Sequence, residues 1–63
     1  KIQTIARSAA SRAKRLGKVR LKPMNAYERR LVHLALVDDT DVVTHSEGED
    51  PERYVVITAV HGE

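Results

Sequence analysis

Arg29 and His33 stand four residues apart, with Arg30 beside them. A guanidinium fork can grip two phosphate oxygens at once. Arginine and imidazole planes also stack on unpaired nucleobases, the usual way single strands are held. The same residues on an outer helix face are just as compatible with plain solvation, or with local pairing to an Asp or Glu. Spacing alone leaves these alternatives open. Other chemistries are less well provided for. His33, His45 and His61 match no compact ligand spacing, and there is no cysteine to complete a metal site. His45 and Ser46 are adjacent in an extended stretch, so their side chains point to opposite faces and cannot form a nucleophile–base pair. With no glycine-rich phosphate loop and no convincing carboxylate pair, neither an enzyme nor a cofactor is expected.

Charge distribution favours a polyanion. The net charge of +2 conceals eight bases and no acid in residues 1–22. Residues 38–63 hold eight acids against the single base Arg53. A surface built from the first third attracts anions, and one built from the last stretch repels them. No apolar run approaches the roughly 20 residues a bilayer span needs. The absence of cysteine fits a reducing compartment, and the expected location is cytoplasmic.

The elements that position these groups follow from periodicity. Ile2, Ile5, Ala6, Ala9, Ala13 and Leu16 recur at helical spacing with the bases outside their arc, and Gly17 is a natural stop. Lys18 to Lys22 alternates polar and apolar residues, which predicts a half-buried strand with Lys18, Arg20 and Lys22 on its polar side. Pro23 ends that strand. Asn25 with Glu28 three residues on forms a capping-box pattern, and the helix it starts is expected to run to about Val37. Leu31, Val32, Leu34, Ala35 and Leu36 fill an arc of roughly 200° on this helix. That rotation sends Arg29 and His33 outward together and Tyr27 inward. Val42 to His45 and Tyr54 to Val60 predict two further strands around the turn Ser46–Glu52, marked by Gly48 and Pro51.

The expected fold class is α+β: a small α-β-α-β-β domain with a three-stranded antiparallel sheet of order 1-3-2 and two helices on one face. The last strand is the most apolar and takes the centre, with Val55, Ile57 and Ala59 toward the helices. Arg53 shares their parity at the strand's start and is expected at the rim near Arg29 and His33. Residues 1–63 read as one domain, a basic helix over 1–17 and a strand–helix–hairpin core over 18–63. Beginning inside a helical pattern, the chain reads as a C-terminal fragment of a longer protein.

Arg29-Arg30-Leu31-Val32-His33 carries the spacing that names the Arg-x-x-x-His, or R-three-H, domain. The runs L-K-P-M-N-A-Y-E-R-R-L-V-H and S-E-G-E-D-P-E-R resemble the bacterial Jag type of this domain, from sporulation-associated RNA-binding proteins. The resemblance covers nearly the whole chain. It implies an α+β fold and binding of single-stranded RNA or DNA, with the motif at Arg29 and His33 and further elements at Ser46, Gly48 and Arg53. It also implies a KH RNA-binding domain upstream as an in-chain partner. Arg30, Lys18, Arg20 and Lys22 are expected to add supporting charge. Because Glu47, Glu49, Asp50 and Glu52 surround Gly48, binding should be led by charge, modest in affinity and weak in sequence preference. The alternative function is a protein-interaction module that docks an acidic partner or the neighbouring KH domain.

Overall fold

The computed structural model describes residues 1–60; His61, the third histidine of the metal count, and Glu63 lie outside them. The chain runs α1 (Ile2–Leu16), β1 (Lys18–Arg20), α2 (Ala26–Ala35), β2 (Val42–Glu47) and β3 (Tyr54–Ala59). The strands form one antiparallel sheet in the order β1-β3-β2. Val55 and Ile57 of β3 and Val42 of β2 meet Val32 and Leu36 of α2 and four alanines of α1, so both helices cover one face. This is the α+β layer architecture read from the sequence.

Close packing of α1 depends on small side chains. Ala6, Ala9, Ala10 and Ala13 are buried and let the helix approach the sheet. Ile5 and Leu16, expected on the buried arc, are instead exposed, while Ile2 packs at the core's margin. Gly17 ends the helix at φ 98°, a left-handed conformation that costs glycine little, with its N–H on the Ala13 carbonyl at 2.6 Å.

Element ends depart from the periodicity for local reasons. α2 stops at Ala35 because Leu36 and Val37 donate to the carbonyls of His33 and Leu34, three residues back, which tightens the last turn. β1 ends at Arg20, although Leu21 still donates to the Val55 carbonyl at 3.0 Å. β2 extends two residues further than expected, since Ser46 and Glu47 pair with Val55 and Tyr54. β3 ends at Ala59, and Val60 donates instead to the Asp41 carbonyl.

The rotation of α2 differs from the one its leucines suggest. Its buried residues are Arg29 and Val32, followed by Leu36, while Leu34 is exposed. Tyr27, expected to point inward, is also exposed. The helix therefore buries a narrow stripe rather than a 200° arc, and hydrogen bonding to Arg29 decides where that stripe begins.

Candidate nucleic-acid interface

The capping box fixes the start of α2. Asn25 accepts a hydrogen bond from the Glu28 N–H at 2.8 Å, and Glu28 accepts one from the Asn25 N–H at 3.0 Å. One turn later comes Arg29, 8% exposed and the one buried charged side chain among the described residues. Its Nη1 donates to the Met24 carbonyl at 2.6 Å and lies 3.4 Å from an Asp50 carboxylate oxygen. Asp50 is largely exposed, so water screens that ion pair and the carbonyl contact is the stronger hold. The Met24 N–H in turn donates to the Arg53 carbonyl. Arg29 thus ties the helix start to the beginning of β3.

His33 bridges α2 to β2. Its Nδ1 is 2.6 Å from Thr44 Oγ1, and its Nε2 is 3.4 Å from Ser46 Oγ. Burial lowers the His33 pKa, and the nearby positive charge of Arg29 lowers it further. The ring is therefore a neutral imidazole at neutral pH, able to donate from one nitrogen and accept at the other. Arg53 turns back on its own loop, with Nη1 donating to the Gly48 carbonyl at 2.8 Å. Gly48 has φ 87°, and a Cβ there would sit 3.2 Å from the Tyr54 ring. Arg29, His33, Ser46, Gly48 and Arg53 are brought together along one α2–β2 seam. The expected outward face for Arg29 and His33 is corrected: Arg29 is buried and His33 half-buried, because Arg29 bonds the Met24 carbonyl before the helix and His33 bonds Thr44 of the sheet.

Lys18 and Arg20 lie on the other side of the sheet. Val19 packs on the helix-side core and its neighbours alternate away from it. Lys22 follows just past β1, and Arg30 is exposed on α2. Among the described residues none of these four cations forms an ion pair. The helix-free face also carries three residues that the sequence reading did not single out as site residues. His45 Nε2 is 2.6 Å from Glu47 Oε2, and the Tyr54 hydroxyl donates to Glu47 Oε1 at 3.5 Å. The His45 contact holds the Glu47 carboxyl below its usual pKa, and the charges of Lys18 and Arg20 add to this. Strand parity was the available signal: once the register is known, Lys18, Arg20, His45, Glu47 and Tyr54 must share a face. No group of three or more His, Cys, Asp or Glu residues among the described ones could hold a metal.

A family model for the R-three-H domain matches residues 1–59. The chain belongs to the R-three-H domain family. The matched span contains the Arg29–His33 spacing that suggested the family. Among curated relatives, this R-three-H domain is 48% identical over 58 residues to "RNA-binding protein KhpB" of Clostridium symbiosum, covering 90% of this chain. It is 42% identical over 57 residues, 89% of the chain, to the protein of the same name from Lactiplantibacillus plantarum. The chain spans 26% and 18% of the lengths of those two proteins.

Proposed function

We propose that this R-three-H domain binds single-stranded nucleic acid without catalysis, as one module of a bacterial RNA-binding protein. The observation that carries the reading is a row of exposed cations, Lys18, Arg20 and Lys22, without ion-pair partners among the described residues. Family membership and the RNA-binding names of the two relatives support it. Phosphate contacts fall to those three residues, with Arg30 adding charge from α2. In the seam, Arg29, Gly48 and Arg53 position α2 and the loop after β2. His33 joins them as a neutral imidazole that ties α2 to β2 through Thr44 and Ser46. The parent protein, on this reading, is cytoplasmic and carries a KH domain upstream. No helix among the described residues is long and apolar enough to cross a membrane.

A titration of the chain with short single-stranded RNA and DNA at two salt concentrations tests the reading. If about four phosphates are neutralised, the slope of log affinity against log salt is about −3. Binding indifferent to salt, or no binding at low salt, ends the proposal. One feature favours a second reading. Ile2, Ile5, Leu21 and Met24 line a groove of about 570 Å³ together with the cations Arg12, Arg20 and Lys22. Such a groove also suits an acidic amphipathic segment of a protein. A short acidic peptide that shifts the backbone signals of Ile5 and Leu21, where oligonucleotide does not, selects that reading.

A further inference from the structure

Two histidines on opposite faces of the sheet distinguish its two surfaces. Ser46 and Thr44 of β2 turn toward the helices and meet His33, whereas His45 between them turns away. On that far side Val56 is fully buried although no helix covers it. Neighbouring side chains must therefore lie over it. Its direct cross-strand neighbours are Arg20 on β1 and His45 on β2.

We propose that this helix-free face is where single-stranded nucleic acid lies, with bases against the His45 ring and phosphates on Lys18 and Arg20. The proposal rests on the nucleic-acid reading above and specifies its surface.

Charge and shape set the polarity of the strand on this face. Cations stand on the β1 side, and the imidazole stands two strand spacings away, about 10 Å. Glu47 closes the β2 end, held there by His45 and Tyr54. Phosphates are therefore kept along β1, with the bases directed toward β2. The His45 side chain is 47% exposed, so its ring is available to a ligand. A single strand fits because one end of a nucleotide needs a cation and the other needs a ring plane, and the face supplies both.

The test combines one affinity series with one spectroscopic series on the 63-residue chain. Short oligouridylate and oligodeoxythymidylate are the probes, which separates RNA from DNA. The expected result is that His45→Ala weakens binding about tenfold while His45→Phe restores it, since a phenyl ring stacks without charge. His45 lies on an edge strand outside the core, and circular dichroism of each variant confirms folding. The His45 ring signal should also move and saturate as either oligonucleotide is added. Wild-type affinity in His45→Ala, or equal loss in the alanine and phenylalanine variants, overturns the proposal. So does movement of the His33 ring signal without that of His45. A short polyglutamate peptide that moves the His45 signal when oligonucleotide does not overturns it in favour of an acidic protein. If wild-type protein binds neither oligonucleotide at low salt, the broader nucleic-acid reading has failed as well. Salt-dependent binding indifferent to His45 removes only the assigned face.

Discussion

Arg29 and Arg20 carry the same guanidinium on opposite sides of one sheet. Arg29 is 8% exposed and is committed to the Met24 carbonyl and Asp50. Arg20 is exposed, with no ion pair among the described residues. The difference follows from their surroundings. α2 covers Arg29, and a buried charge must find hydrogen bonds or the fold loses the cost of desolvating it. No helix covers Arg20, so water satisfies its donors at little cost and can yield to phosphate. A motif arginine therefore reads here as a construction element, and an arginine outside the motif as an available cation.

Arg29→Ala gives the largest expected effect of the predictions. It leaves the Met24 carbonyl without its side-chain donor and should cost about 2 kcal/mol of stability. In a domain of this size that lowers the thermal midpoint by roughly 10 °C. Arg20→Ala should change stability by no more than about 0.5 kcal/mol. Equal losses from the two alanine substitutions, measured by urea unfolding, erase the contrast between the faces.

Charge reversal at both Lys18 and Arg20 should lower oligonucleotide affinity about tenfold and flatten the salt slope by about 1.4. The unfolding midpoint should hardly move. Next in size is Gly48→Ala, which forces a side chain into a left-handed conformation against the Tyr54 ring and should cost about 1 kcal/mol. Its effect belongs to stability of the seam, so affinity measured on the folded fraction should change little.

His33 makes the contrast pH-dependent. An unfolded histidine titrates at about 6.5, and the fold lowers that value by burial and by proximity to Arg29. Between the two values the unfolded chain holds the proton and the folded chain does not. Stability is therefore full above about 6.5 and declines as pH falls toward the folded value. The lowered pKa values of Glu47 and Asp39 add a separate loss at more acidic pH, as it falls through their folded values. Urea midpoints across mildly acidic pH should show the first decline in wild type and not in His33→Gln. The smallest expected effect is in Glu47→Gln, which removes an acid from the open face and should raise oligonucleotide affinity about twofold. Unchanged or weaker binding in that variant argues that phosphates do not approach this face.

Much of the architecture was legible because it rests on local rules. Asn25 and Glu28 announced the start of α2, and both hydrogen bonds of the capping box are present. Gly17 announced the end of α1 and adopts the expected left-handed backbone. The order β1-β3-β2 followed from the strand with the longest apolar run, which must sit in the centre. The seam cluster was legible as a set of residues but not as an arrangement. Leu34 carries more weight than Arg29 on a helical wheel, yet the wheel contains neither the Met24 carbonyl nor Asp50. Those partners come from a strand exit and a loop, and they turn Arg29 inward while Leu34 faces water. The His45 face was hidden for a related reason. Its members lie on three strands, and no single segment displays them together.

By itself the sequence determined the element order, the end of α1 and the start of α2, the central strand and the charge division between the chain's two ends. Each of these depends on neighbours within a few residues, or on composition. Only the tertiary structure decided which arginine is buried, which histidine is open and which cations share a face. Those outcomes depend on hydrogen-bond partners from distant segments, and on a register that sets Arg20, Val56 and His45 side by side.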